Sequence, residues 1–172
     1  MFQPGELMVY GTTGVCRVEE VTRLPGGDRK RQYYLLRPLW QEGVIYAPGD
    51  SEKVPMRPVI TREEAESLID QMPGMQAVAY RGTTVQALAQ QYQAAFREGS
   101  HQDLIGMMKA IYLKRGQAEA KNRRLGVVDE RYMKQAERLL YGELAIALGL
   151  PYYEVEDYIT SRLDRAEDSA GA

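Results

Sequence analysis

The stretch MVYGTTGVCRVEEV, Met8 to Val21, decides the fold. Branched and aromatic residues crowd it as they do in strands, yet Gly11 and Gly14 interrupt it. Leu7-Met8-Val9-Tyr10 reads as a first strand, Gly11-Thr12-Thr13-Gly14 as a turn and Val15 to Val21 as a second strand. Strict alternation places Val15, Arg17, Glu19 and Val21 on one side of it, and Cys16, Val18 and Glu20 on the other. Glycine adopts backbone angles that other residues resist, so Gly11 and Gly14 turn the first corner of a small barrel.

Working outward, Leu24-Pro25-Gly26-Gly27-Asp28 is a strong turn, because proline fixes φ and glycine supplies positive φ. Gln32 to Pro38 (QYYLLRP) makes a third strand and Gly43 to Ala47 (GVIYA) a fourth. Short strands and tight turns within about 55 residues predict a strongly bent antiparallel barrel or sheet. From Thr61 the period becomes helical. Thr61 with Glu64 forms a capping box, and that helix stops at Pro73-Gly74. Thr84 caps a second, with Val85, Leu88, Ala89, Tyr92, Ala95 and Phe96 on one face. After Gly99, Ser100 caps a third, with Leu104, Ile105, Met108, Ile111 and Tyr112 inward and a polar end near Gly126. Asp129 caps a fourth on the stripe Tyr132, Met133, Ala136, Leu139, Leu140, Leu144 and Leu148. Gly149-Leu150-Pro151 restarts the chain into a short last helix with Val155, Tyr158, Ile159 and Leu163. The expected class is α+β: an antiparallel β module over 1–58, an all-α bundle of about five helices over 59–165, and a flexible tail over 166–172.

The 172 residues are 44% hydrophobic and 27% charged, ordinary for a globular chain. No apolar run of about 18 residues exists, so no membrane span is expected, and MFQPGELMVY lacks the pattern of a secretory signal. Cys16 is the one cysteine and His101 the one histidine, which excludes an internal disulfide and a Cys- or His-based metal site. Cytoplasmic residence without metal or cofactor is expected. No glycine-rich phosphate loop, G-x-S-x-G or nucleophile–base pair occurs. The pairs Glu19-Glu20 and Glu63-Glu64 fit a strand edge and a helix first turn, where the dipole favours negative charge. The chain reads as no enzyme, with no small-molecule substrate.

Charge is uneven beneath a net of −2. Residues 86–140 hold 10 Lys/Arg against 6 Asp/Glu, and 141–172 hold 2 against 7. The basic string Lys109, Lys114, Arg115, Lys121, Arg123, Arg124, Arg131, Lys134 and Arg138 spans the end of one helix and the start of the next. It is either a phosphate-contacting rim or solvated charge. Trp40, between two strands, either anchors a partner or caps the barrel core.

The order Met1-Phe2-x-x-Gly5-Glu6-x-Met8-Val9-Tyr10-Gly11-x-x-Gly14-Val15 is followed by Gln32-Tyr33-Tyr34-Leu35-Leu36-Arg37 and by Met56-Arg57-Pro58-Val59. Ala136-Glu-Arg-Leu-Leu-Tyr-Gly142-Glu143-Leu144-Ala145 comes last. This string resembles the CarD/CdnL family of bacterial transcription regulators over about residues 1–150. The resemblance implies a Tudor-like (SH3-like) RNA-polymerase-interaction domain, similar to one in transcription-repair coupling factor, that binds the lobe of the polymerase β subunit through an exposed strand edge. It implies a helical module that touches upstream promoter DNA and holds the open complex, with polymerase supplying a high effective concentration. The polymerase-binding residues it points to are Val44, Ile45 and Tyr46, flanked by Arg23 and Arg37. The DNA-contacting ones are Lys109, Lys114, Arg115, Arg123, Arg124, Arg131 and Lys134, with Leu88 at the position of the family's tryptophan wedge. That leucine also fits the buried stripe of its own helix. Gln90 and Gln91 stand where the family carries paired arginines, the third helix is extended around Gln117–Asn122, and Tyr46 replaces a basic residue. These departures define the alternative, a protein–protein adaptor that keeps the β module and has no DNA contact.

Overall fold

The computed structural model of the chain describes residues 2–23, 31–50, 52–78, 84–98 and 100–170. The turn expected at 24–28 and the stop at Gly99 lie outside the described residues. Five strands, β1 (Leu7–Tyr10), β2 (Gly14–Thr22), β3 (Tyr33–Pro38), β4 (Ile45–Pro48) and β5 (Met56–Pro58), form one antiparallel sheet in the order β4-β3-β2-β1-β5. Among the described residues five α-helices follow: α1 (Arg62–Gln71), α2 (Val85–Glu98), α3 (His101–Ala120), α4 (Val127–Leu148) and α5 (Val155–Ala170). The α+β class expected from the sequence is the one observed.

The first corner is built as the glycines require. Gly11, at φ 46°, opens a 3-10 turn over Gly11–Thr13, and Gly14, at φ 91°, follows it. A Cβ on Gly11 would lie 2.7 Å from Val54 Cγ1, and the Gly11 N–H donates to the Pro55 carbonyl at 2.9 Å. The corner is thus clamped under the chain that enters β5. That fifth strand has no signature in the sequence, because three residues ending in proline take their conformation from the partner: Met8 faces Pro58, Val9 faces Arg57 and Tyr10 faces Met56.

The strict alternation expected for β2 fails halfway. The register with β3 shifts between Val18 and Glu20, so Glu19 is an extra, bulged residue. Beyond it the phase inverts, and Val21 packs with Val18, Cys16, Met8 and Leu36 in the sheet's core while Glu19 and Glu20 both face solvent. Burial pushes the Cys16 thiol up to about 11, as for an inert core residue.

Thr61, Thr84 and Ser100 cap α1, α2 and α3 as expected; their hydroxyls accept from Glu64, Ala87 and Asp103 N–H at 3.1, 3.1 and 3.0 Å. The start of α4 differs. Gly126 is the N-cap, and Asp129, inside the first turn, is buried and accepts from the Tyr92 hydroxyl at 2.5 Å and from Lys114 Nζ at 3.3 Å. A buried carboxylate needs such partners, and a distant tyrosine and lysine supply them. The third helix ends at Ala120 rather than near Gly126, because Asn122 turns the chain at φ 54°. Val85 and Tyr112, expected inward, are 68% and 66% exposed. The last helix runs to Ala170, so residues 166–170 continue α5 instead of starting a flexible tail.

Contacts at Trp40, Arg57 and Gly14 fasten the sheet to the helices. Trp40, at the β3–β4 turn, leaves the sheet's core and lies on the helical one, 5.4 Å from the Tyr152 ring and against Gly142 of α4. Its place is therefore a joint between modules, not a cap on the barrel core. Arg57 of β5 makes two hydrogen bonds to Glu143, at 2.5 and 2.7 Å. His101 Nε2 stands 2.7 Å from the same carboxylate, and the Ile60 N–H donates to it at 3.1 Å. Burial alone would raise the Glu143 carboxyl, but the hydrogen bonds and charges of Arg57 and His101 outweigh it and hold the pKa at about 2. Leu139 of α4 lies near Gly14 of β2, and within the helical module Arg62 of α1 reaches the Leu148 carbonyl of α4 at 2.9 Å. Among the described residues no helix is long and apolar enough to cross a membrane.

Candidate interaction surfaces

The first surface is the β4 end of the sheet. β4 is bonded on one side to β3, with Leu36 facing Ile45, Leu35 facing Tyr46, Tyr34 facing Ala47 and Tyr33 facing Pro48. Its other side carries the outward-pointing N–H and C=O groups of an end strand. β5, at the other end, is tied through Arg57 to α4. Pleating divides the β4 side chains: Ile45 turns inward and packs on the sheet's core, whereas Tyr46 is 50% exposed on the outer face. Ile45 thus offers backbone rather than side chain. Val44, in the loop before β4, is 47% exposed, and Gly43 at φ 105° sets its direction.

Arg37 lies two positions from Leu35 on β3, so it shares the outer face with Tyr46, and its Nε donates to Glu19 at 3.1 Å. The bulge that unpairs Glu19 from the ladder therefore places its carboxylate on Arg37. Arg23 is exposed just past β2. Arg17, opposite Arg37 in the β2–β3 register, and Leu35, opposite Tyr46, complete this face. Neither residue carries a docking signal of its own in the sequence, although alternation through QYYLLRP puts Leu35 and Arg37 on one side.

The second surface is one end of the helical bundle. Tyr92 bonds Asp129 and Phe96 stacks on Tyr132, so α2 and α4 run parallel; His101 meets Glu143 and Lys114 meets Asp129, so α3 is antiparallel to them. The start of α2, the end of α3 and the start of α4 consequently share the end away from the Glu143 joint. Arg123 and Arg124 are exposed in the turn there. Arg131, Lys134 and Arg138 follow from exposed Val127 at spacings of four, three and four, forming one stripe along α4. Arg131 lies 5.6 Å over the Tyr132 ring.

Other members of the expected basic set are occupied inside the molecule. Lys109 Nζ donates to the Met72 carbonyl at 2.5 Å and to that of Met75, capping the end of α1 and the turn after it. Lys114 neutralises buried Asp129 and stands over the Tyr92 ring at 6.0 Å. Both were expected as phosphate contacts. Their partners are carbonyls and a carboxylate far away in sequence, which no charge pattern along the chain announces. Arg115 is half-buried, and its charge acts on Glu137. Leu88 is half-buried against the helical core, on the stripe that α2 presents to its neighbours. Among the described residues no three His, Cys, Asp or Glu side chains are grouped to hold a metal ion.

Residues 2–60 match the family model described as the CarD-like/TRCF RID domain. The match takes in all five strands and ends at Ile60, whose N–H the Glu143 carboxylate receives. The resemblance read from the sequence therefore holds for the β module, and it supports an RNA polymerase-interacting, transcription-related role. No match was found among curated proteins.

Proposed function

We propose that the chain is a non-enzymatic, cytoplasmic bacterial transcription regulator that docks on the RNA polymerase β subunit through β4. One observation carries this reading: a CarD-like/TRCF RID module whose β4, among the described residues, pairs on one side only, with Tyr46 and Val44 exposed beside it. An added strand from the polymerase would pair with the β4 backbone, while Tyr46, Val44, Arg37 and Arg23 would set specificity. Titrating the full chain against the lobe region of the β subunit tests it. Roughly micromolar binding is expected, weakened about tenfold by Tyr46→Ala or Arg37→Glu. No binding by a folded chain would refute the docking reading.

Promoter DNA would meet the stripe Arg123, Arg124, Arg131, Lys134 and Arg138. Fixing β4 on polymerase also fixes this stripe in space, because Trp40, Arg57 and Glu143 hold the two modules together. From Glu143 to Val127 the reach along α4 is roughly 24 Å, at 1.5 Å per residue. The burial of Leu88 and the internal use of Lys109 and Lys114 favour a second reading, an adaptor without DNA contact. Arg123→Glu/Arg124→Glu separates the two on the intact polymerase–promoter complex. Loss of open-complex stabilisation with unchanged polymerase affinity selects the regulator that touches DNA; no change selects the adaptor.

A further inference from the structure

An open groove of about 1110 Å³ runs between α3 and α5 over Met133, Leu140 and Tyr141 of α4, and no residue of β4 or of the basic stripe lines it. Its floor is Met72, Met108 and Met133, all buried, with half-buried Met75 at one wall. Methionine is unbranched and polarisable, so such a floor adapts to an incoming apolar side chain. The lip on α3 is Tyr112 and Leu113, 66% and 57% exposed. Lining positions on α3 run from Ile105 to Leu113 and on α5 from Ile159 to Glu167, about 12 Å of each helix. That length matches two turns of a third helix laid between them.

The charges at the groove specify the occupant. Asp70 is held by two hydrogen bonds from Arg162, at 2.8 and 2.9 Å, and the Lys109 ammonium lies on the Met72 and Met75 carbonyls. Exposed Asp164 and Glu167 remain on the α5 side, within a segment, 141–172, of 7 acidic residues against 2 arginines. A groove that is apolar below and acidic along one wall suits a helix with apolar residues at i, i+3, i+4 and i+7 and with lysine or arginine beside them. We propose that this groove docks a basic amphipathic helix of a partner protein, in addition to any polymerase or DNA contact.

The test uses the full chain and a fluorescein-labelled Leu/Lys peptide of about 18 residues with that spacing, beside a Leu/Glu peptide of the same pattern. Anisotropy should show saturable binding of the Leu/Lys peptide alone, weakened about tenfold by Leu113→Glu, the loss expected of a groove anchor. Asp164→Lys/Glu167→Lys should weaken it too, whereas Glu119→Lys/Glu130→Lys, an equal charge change on exposed acids outside the groove, should not. Leu113 and both acid pairs are exposed, so all variants should fold, checked by circular dichroism. Equal binding of both peptides, indifference to the groove variants or an equal loss in the control pair would overturn the proposal. So would sedimentation showing that Leu113→Glu dissolves a dimer, because the occupant would then be a second copy of this chain.

Discussion

The Trp40 indole fills the space where residue 142 would carry a β-carbon: a Cβ on Gly142 would lie 2.5 Å from Trp40 Nε1 and 2.6 Å from Cδ1. Glycine in mid-helix costs about 1 kcal/mol relative to alanine, so Gly142 persists in α4 against local preference because a β-strand turn needs the room.

Gly142→Ala should therefore destabilise the chain. The alanine gains about 1 kcal/mol of helix propensity, but the rigid ring cannot step aside, and overpacking costs about 1–3 kcal/mol. A net loss of about 1 kcal/mol should appear in urea unfolding, with Trp40→Ala/Gly142→Ala losing less than the sum of the single changes. Stabilisation by Gly142→Ala would show that the indole is free to move. Trp40 Nε1 is also, among the described residues, the buried side-chain polar atom that lacks a partner. Trp40→Phe, which deletes that donor, should consequently cost clearly less than Trp40→Ala.

The Glu143 carboxylate makes the joint acid-sensitive. Its folded pKa is about 2 against an ordinary 4.5, so the unfolded chain takes up the proton first as pH falls. The stabilisation is complete above about 4.5 and is lost progressively as pH drops toward 2. A shift of this size corresponds to roughly 3 kcal/mol. Stability measured between these limits should fall with a slope that Glu143→Gln flattens; an unchanged slope would place the acid sensitivity elsewhere. Arg57→Ala should cost more than Glu143→Gln, because it leaves a buried charge without its main partner.

Lysines and arginines of the basic string should separate by readout. Lys114→Met strips the cation from Asp129, 8% exposed, and should cost about 1–3 kcal/mol, the penalty of an under-partnered buried acceptor. Arg123→Ala and Arg124→Ala are exposed changes, expected within about 0.5 kcal/mol of the parent. Thermal melts of the three variants decide. Equal losses would mean that the α3–α4 turn is itself part of the packing.

What could be read in advance was what neighbours in sequence determine. Gly11 and Gly14 announce the corner because their φ angles are local, and Thr61, Thr84 and Ser100 announce helix starts because each hydroxyl caps a backbone three residues on. Val85 and Tyr112 carry the right period yet face solvent, since periodicity defines a stripe but not where the neighbouring helix ends. At the β4 end of the sheet the exposure of Val44 and Tyr46 agrees with their place in GVIYA, while the inward turn of Ile45 depends on its pairing with Leu36. The internal partners of Lys109, Lys114 and Asp129 could not be read in advance because they lie 15 to 37 positions away.

The bulge at Glu19 is the sharpest departure from the sequence pattern. A one-residue change of register sends every later side chain of a strand to the opposite face. Were Glu19 paired in the ladder instead of bulged, Glu20 would turn inward and Val21 would leave the sheet's core. Val21→Ser should accordingly cost about 1 kcal/mol or more, as for a buried apolar contact, whereas Val44→Ser, at a 47% exposed loop position, should be close to neutral. Deleting Glu19 removes the bulge but leaves Val18 and Val21 on the core face in the same register, so it should cost no more than the exposed Glu19–Arg37 pair, within about 1 kcal/mol. If the folded deletion variant keeps its polymerase affinity, Arg37 does not need the partner that the bulge provides. If affinity drops in step with Arg37→Glu, the extra residue in β2 serves to aim that arginine.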